Sequence, residues 1–164
     1  MGDIRITASM LYDYVKCPHR VNLDLFGDPA ERDDVNPFVE LLWERGHTFE
    51  QEVINALDVP FVNLKETPLG ERETRTLDTM AAGEELIYGG RISADELLGE
   101  PDILRRSGSG YVPGDIKSGA GMEGRSEDTG RKPKRHYAMQ LGLYTDILKR
   151  KELDGDGGSF VWDV

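Results

Sequence analysis

Hydrophobic residues recur at three- and four-residue steps in three segments of the chain, the spacing that places them on one side of a helix. The clearest segment is 36–58, where Asn36 suits a helix cap and Pro37 suits the first turn. Its apolar positions are Phe38, Leu41, Leu42, Phe49, Val53 and Leu57. The other periodic segments are 7–28, in which Thr7 or Ser9 can cap a helix and which Pro18 interrupts, and 132–151. A fourth helix is predicted over 71–83, where Gly83 would end it.

Between and after these helices lie short segments that are typical of strands. They read VPFVNL, ELIYGGRIS, PDILRR, GYVPGDIKSG and, last in the chain, GSFVWDV. A long polar loop, 118–130, precedes the last helix. The order of helix, strands, helix and strand predicts an α/β fold with a mixed central sheet flanked by helices. Neither a repeat nor a linker divides the chain, so we expect one domain over residues 1–164.

Composition narrows the class of protein without naming a function. Of the 164 residues 38% are hydrophobic and 31% charged, as in a globular domain rather than a disordered chain. We find neither an apolar run long enough to cross a membrane nor a signal peptide, so a cytoplasmic protein without a membrane partner is expected. The net charge of −11 argues against nucleic acid, but basic residues concentrate in GRKPKRH at 130–136.

The turn between PDILRR and GYVPGDIKSG determines which residues of the two strands face each other. Loops of two and of four residues both place Asp102 opposite Asp115. Facing side chains of an antiparallel pair lie about 5 Å apart on one face of the sheet. Lys117 follows Asp115 by two residues and shares that face. The sequence therefore predicts two carboxylates and an amine side by side.

Two facing carboxylates repel each other, and a cation between them would remove the repulsion. Their oxygen atoms favour a hard divalent ion, Mg²⁺ or Mn²⁺. Beside such an ion Lys117 could orient or deprotonate a water molecule, or stabilise a developing oxyanion. The alternatives are a solvated hairpin that tolerates its acids, a different metal-dependent reaction, and simple storage of a cation.

These motifs resemble those of the PD-(D/E)XK nuclease superfamily. PD at 101–102 and DIK at 115–117 match its signature across a hairpin, and QLGLY at 140–144 is similar to the Q-x-x-x-Y motif of its RecB-type branch. YVKCPHR at 14–20 resembles the N-terminal segment of that branch, so the resemblance covers nearly the whole chain. It implies a restriction-endonuclease-like core and a divalent-metal-dependent DNA nuclease, exonucleolytic or single-strand-preferring. Expected roles are DNA repair, recombination or CRISPR-related processing, with a helicase or other repair or CRISPR proteins as partners.

The resemblance also implies roles for individual residues of the hairpin. Asp102, Asp115 and Lys117 would be catalytic. Both aspartates would bind the metal ion, and the backbone carbonyl of Ile116 would be a third ligand. The magnesium or manganese site expected from the two carboxylates thus gains a backbone donor.

The long helix would supply one more metal ligand, and the last helix would hold DNA. Relatives often carry a histidine where Phe49 stands, so Glu50 is expected to be the helix ligand, with His47 as the alternative. Without that histidine, a non-cleaving DNA-binding or scaffolding relative is the second hypothesis. The residues expected to contact DNA lie on or just before the last helix: Gln140, Tyr144, Lys132, Lys134 and Arg135.

Cys17 is the only cysteine of the chain, and such a residue is ordinarily a small buried apolar side chain. Iron–sulfur members of the RecB-type branch have one cysteine in this segment and three near the C-terminus. This chain lacks those three, so it cannot complete a four-cysteine cluster by itself. Either this member has no cluster, or the chain is a fragment of a longer protein in which Cys17 is an iron–sulfur ligand.

Overall fold

Five α-helices are found where the sequence predicts helical segments. The computed structural model of the chain describes residues 4–119, 122–123 and 132–162. In these ranges the helices are α1 (Ala8–Lys16), α2 (Pro18–Phe26), α3 (Pro37–Asn55), α4 (Leu69–Ala81) and α5 (Arg135–Arg150). Thr7 caps α1 by accepting a hydrogen bond from Met10 N, and Asn36 caps α3 through Phe38 N. Pro18 separates the first predicted segment into α1 and α2, as expected.

The described residues form ten short strands in three sheets. The strands are β1 (Ile6–Thr7), β2 (Val62–Asn63), β3 (Leu86–Tyr88), β4 (Ile92–Ala94), β5 (Leu97–Gly99), β6 (Ile103–Ser107), β7 (Gly110–Ile116), β8 (Met122–Glu123), β9 (Lys132–Pro133) and β10 (Phe160–Trp162). The central sheet has the order β10-β7-β6-β3-β2. It is mixed, because β6 runs antiparallel to β3 and β7 whereas β2 and β10 pair in parallel with their neighbours. The predicted α/β class with a mixed sheet is confirmed.

Two smaller sheets complete the described strands. One has the order β1-β5-β4, and the other is the antiparallel pair β8-β9. Of these strands only β4 was predicted, since β8 lies in the predicted loop and β9 at the predicted start of the last helix. The β4-β5 hairpin turns at Asp95, whose φ of 51° places it in the left-handed region.

The β6-β7 hairpin confirms the predicted register. Ser107 pairs with Gly110, so the loop has two residues, and Ile103 pairs with Gly114 at the other end. Gly108 has a φ of 62°, the positive value that a two-residue hairpin turn requires at its first central position. One further step along this register places Asp102 opposite Asp115.

Helices cover both faces of the central sheet. On one face α5 packs through Leu141, Leu143, Tyr144, Ile147 and Leu148. On the other face Val53 and Ile54 of α3 pack against the cluster that contains Tyr88 and Ile116. Successive strand residues point to opposite faces. Because Ile116 faces α3, Asp115 before it and Lys117 after it face α5.

The first half of α3 does not join this core. Phe38 is 66% exposed, and Leu41, Leu42 and Trp43 are exposed as well. The apolar stripe of α3 is therefore buried only in its second half, which reaches the sheet. None of the described helices has both the length and the apolar character that crossing a membrane requires.

Candidate active site

A cavity of about 250 Å³ lies where the end of β7, the start of α1 and one side of α5 meet. Five of the residues predicted to act in catalysis or DNA binding line it: Asp102, Asp115, Lys117, Gln140 and Tyr144. The remaining lining residues are Thr7, Ala8, Ser9, Leu98 and Glu100. Residues from separate parts of the sequence are thus gathered around one space.

The two aspartates and the lysine form a buried charged group. Asp115 is only 3% exposed, and its Oδ2 lies 2.7 Å from Lys117 Nζ. This contact is an ion pair, and Oδ2 has no aligned hydrogen-bond donor among the described residues. Asp102 Oδ2 accepts a hydrogen bond of 2.8 Å from the backbone N–H of Ile116. Of the two carboxylates, Asp102 is therefore held by the backbone and Asp115 by the lysine.

The charges in this group do not balance. Burial, followed by the negative charge of Asp115, raises the pKa of Asp102 to about 7. Burial would lower the pKa of Lys117, but the charges of Asp115 and Asp102 outweigh it and raise that pKa above its ordinary value. Lys117 is therefore a cation at neutral pH. One lysine offsets one carboxylate. Asp102, the second carboxylate, has no cation of its own in the group and therefore retains a proton up to about pH 7.

A divalent cation fits this donor set. The two buried carboxylates are hard oxygen ligands, and a single lysine is the cation between them. Because N–H and C=O of one strand residue point to the same side, the carbonyl of Ile116 is directed towards Asp102 like its N–H. Among the described residues, however, no three His, Cys, Asp or Glu side chains lie close enough to bind one ion. The metal site stays a prediction, with Asp102, Asp115 and Ile116 as its donors in this arrangement.

Glu50 approaches the sheet from the opposite face. It is 8% exposed, and its Oε1 accepts hydrogen bonds of 2.8 Å from both Lys65 Nζ and Tyr88 OH. Burial would raise the pKa of Glu50, but these hydrogen bonds and the charge of Lys65 lower it below its ordinary value. His47 Nδ1 lies 3.7 Å from Glu50 Oε2, and the His47 side chain is 78% exposed. Neither residue lines the cavity, so this arrangement does not bring the predicted helix ligand to the aspartates.

The Glu50 network predicts a stability effect. Glu50→Gln removes the charge that pairs with Lys65, so we expect the free energy of unfolding at pH 7 to fall by about 1–3 kcal/mol. Since the pKa of Glu50 is lowered on folding, its contribution is present above the unfolded pKa and is lost as pH falls through the folded one. Urea unfolding at pH 7 and pH 3 measures this difference. An equal loss of stability at both pH values would contradict the role of the Glu50 charge.

Tyr144 and Gln140 of α5 reach the cavity side by side. Tyr144 is buried, and its hydroxyl donates a hydrogen bond of 3.4 Å to the backbone oxygen of Glu100. A side chain at Gly99 would clash with the Tyr144 ring, because an added Cβ would lie 2.7 Å from Tyr144 Cδ1. Gln140 Oε1 is buried without a hydrogen-bond partner among the described residues. A polar group of this kind at a cavity wall is suited to contact a ligand.

The basic segment leads into α5 as predicted. Lys134 occupies the N-cap position, and Arg135 is the exposed first residue of the helix. Lys134 Nζ lies 5.4 Å from the ring centroid of Tyr137. The side chain of Lys132 lies outside the described part of the chain. A contact of these residues with DNA stays a prediction.

Cys17 is exposed at the junction of α1 and α2, so its interpretation as a small buried residue is wrong. The role of Cys17 in an iron–sulfur cluster of a longer chain stays a prediction. No other cysteine is present in the sequence to share such a cluster with it.

The start of α1 is a part of the cavity that the sequence did not reveal. Thr7 and Ser9 were recognised only as candidate helix caps, yet both line the cavity, and their hydroxyl oxygens lie 2.9 Å apart. The N-terminus of a helix carries a partial positive charge and unpaired N–H groups. The α1 N-terminus therefore faces the same space as the two carboxylates. The capping pattern was visible in the sequence, but its position depends on the pairing of β1 with β5.

Comparison with known protein families and with curated proteins gave no match. Function is therefore inferred from the residues and geometry of the cavity.

Proposed function

We propose that the protein is a divalent-metal-dependent nuclease that hydrolyses DNA phosphodiesters, built on a restriction-endonuclease-like core. The observation that carries the proposal is the cavity that gathers Asp102, Asp115 and Lys117 with Gln140 and Tyr144. The first three residues lie at the end of a hairpin whose register matches the prediction. Hydrolysis of a phosphate ester requires cations next to the negatively charged phosphate oxygens and a water molecule positioned for attack. Lys117 and a metal ion bound by the two aspartates would meet both requirements.

Asp102 and Asp115, with the carbonyl of Ile116, would hold the metal ion. A bound Mg²⁺ or Mn²⁺ would supply polarisation of the phosphoryl oxygen and a lower pKa for a bound water molecule. Lys117 is protonated at neutral pH because two carboxylates surround it, so it acts as a cation that stabilises developing negative charge.

The rest of the cavity suits an anionic phosphodiester. The α1 N-terminus offers N–H groups and the hydroxyls of Thr7 and Ser9. Gln140 offers a side-chain amide. Its oxygen accepts no hydrogen bond from the described residues and is therefore available to a ligand. These neutral and partly positive groups could accept a phosphate although the chain as a whole has a net charge of −11.

The proposal is tested by cleavage of labelled single-stranded and duplex DNA in the presence of Mn²⁺. Asp115→Asn should reduce cleavage more than about a hundredfold, because losing even an indirect partner of a metal ligand costs about 10–100-fold. Asp146→Asn is a matched control, since Asp146 is an exposed acid of α5 that pairs with Arg150. If the wild type cleaves DNA and Asp115→Asn cleaves it at the same rate, the assignment of the site is overturned.

A non-cleaving DNA-binding relative is the second candidate function. The observation that favours it is the engagement of Glu50 by Lys65 and Tyr88, which keeps this carboxylate away from the two aspartates. In that case the wild type would bind DNA and Mn²⁺ but would leave every labelled substrate intact.

A further inference from the structure

A row of aromatic side chains lies next to the cavity, along the contact between α1 and α5. The aromatic row consists of Tyr12, His136 and Tyr137. The rings of Tyr12 and His136 meet edge to face with centroids 4.7 Å apart, and those of His136 and Tyr137 are 4.4 Å apart. Lys117 Nζ lies 5.8 Å from the centroid of Tyr137. The row therefore begins next to the proposed catalytic lysine.

On both helices, residues of the row lie one helical turn from a residue that lines the cavity. On α1, Ser9 lines the cavity, and Tyr12 and then Lys16 follow at the steps that share one helix face. On α5, Gln140 lines the cavity, and Tyr137 precedes it at the same kind of step. Since Tyr12 contacts His136, the middle of α1 lies against the start of α5. The aromatic row thus leads from the cavity to the basic start of α5.

Lysines accompany the aromatic row along its length. Lys134 Nζ lies 5.4 Å from the ring centroid of Tyr137, and Lys16 Nζ lies 5.8 Å from that of Tyr12. The acid nearest to them on α1, Asp13, is engaged by Arg20 at 3.3 Å. Tyr12 and Tyr137 are half-buried, so part of each side chain is accessible to solvent. The surface therefore alternates accessible aromatic groups with flexible cations.

We propose that the aromatic row and its lysines bind the nucleotides of single-stranded DNA that adjoin the phosphate in the cavity. This inference rests on the proposed function and assigns residues of this chain to the single-strand preference that the family resemblance implies. Aromatic side chains bind single strands by stacking on unpaired bases, while lysines follow the phosphates. In a duplex the bases are paired and stacked on each other, so their faces are not available to the row. Tyr137, beside Lys117, contacts the first base, and Tyr12 contacts the base that follows.

The test is binding of a fluorescent oligothymidine in metal-free buffer, measured by fluorescence polarisation in the Asp115→Asn background to prevent cleavage. Tyr137→Leu and Tyr12→Leu should each weaken binding about tenfold, equivalent to about 1.4 kcal/mol. Tyr137→Phe keeps the ring and should bind like the parent. Tyr14→Leu is the matched control, because Tyr14 lies on α1 and is 56% exposed but is not part of the row. Melting temperatures establish that the variants fold.

The outcomes separate this inference from the proposed function. Loss of oligothymidine binding in the Leu variants supports the aromatic row, even where the wild type cleaves no DNA and the nuclease proposal fails. If Tyr137→Leu binds oligothymidine as tightly as Tyr14→Leu and the parent do, the proposed binding role of the aromatic row is overturned, even if the wild type cleaves DNA. Tighter binding of a blunt duplex than of the single strand also overturns it.

Discussion

Replacing Lys117 by methionine is expected to slow Mn²⁺-dependent DNA hydrolysis by about 10²–10³-fold, the usual cost of removing one group that stabilises transition-state charge. Lys117 Nζ lies 2.7 Å from Asp115 Oδ2 at the cavity wall, and the two carboxylates keep it protonated. Methionine retains much of the length of the side chain and removes the charge. The measurement is the single-turnover rate of cleavage of labelled DNA at saturating metal.

Lys151→Met is the matched control for Lys117→Met. Lys151 has a similar side-chain exposure, 28% against 26%, and lies near an acid, Glu73, at the opposite end of α5. Lys117→Met leaves Asp115 without its cation. If this variant unfolds, Lys117→Gln replaces it, because glutamine removes the charge but keeps a hydrogen-bond donor for Asp115. A folded Lys117→Met protein that cleaves at the rate of Lys151→Met would contradict the proposed role.

Replacing Asp102 by asparagine is expected to stabilise the metal-free protein at pH 8 by roughly 2–4 kcal/mol and to do much less at pH 4. The pKa of Asp102 rises from the ordinary aspartate value of 3.8 to about 7 in the folded chain because the carboxyl is buried beside Asp115. The folded state therefore binds the proton more tightly than the unfolded state. The destabilisation by Asp102 is absent below pH 4, grows up to about pH 7, and is constant above it. Asparagine can still accept the hydrogen bond from Ile116 N.

Urea unfolding of Asp102→Asn and wild type at pH 4, 6 and 8 measures this effect. Asp78→Asn serves as the control, because Asp78 is an exposed aspartate of α4 that does not line the cavity. Saturating Mn²⁺ should stabilise the wild type at pH 8 and reduce the advantage of Asp102→Asn, since the ion would replace the missing positive charge. The same stability change at every pH would show that Asp102 ionises normally in the folded protein.

The hairpin was predictable because its geometry is local. Two-residue loops allow only a few backbone conformations, and Gly108 supplies the positive φ that one of them needs. Once the loop is set, the pairing of Ile103 with Gly114 follows, and with it the meeting of Asp102 and Asp115. The shared helix face of Gln140 and Tyr144 followed in the same way from helical spacing.

The surroundings of Glu50 were not predictable, because they depend on contacts between distant segments. Its partners Lys65 and Tyr88 come from two other parts of the chain, and neither is marked by a motif. Helical spacing also cannot tell which half of α3 reaches the sheet. Phe38 and Val53 belong to the same apolar stripe, yet only Val53 is buried.

The α1 N-terminus escaped prediction for a related reason. Its place in the cavity depends on the pairing of Ile6 and Thr7 with the very short strand β5. Three residues, Leu97 to Gly99, are too few to give an alternating pattern that identifies a strand.

The most direct test of the account is calorimetric titration of Mn²⁺ into the wild type and into Asp115→Asn at pH 8. If Asp102 and Asp115 hold a divalent ion, the wild type will bind one Mn²⁺ per chain, and Asp115→Asn will bind it more than about a hundredfold more weakly. Equal affinity of the two proteins, or no binding by the folded wild type, would contradict the metal site on which the proposed nuclease depends.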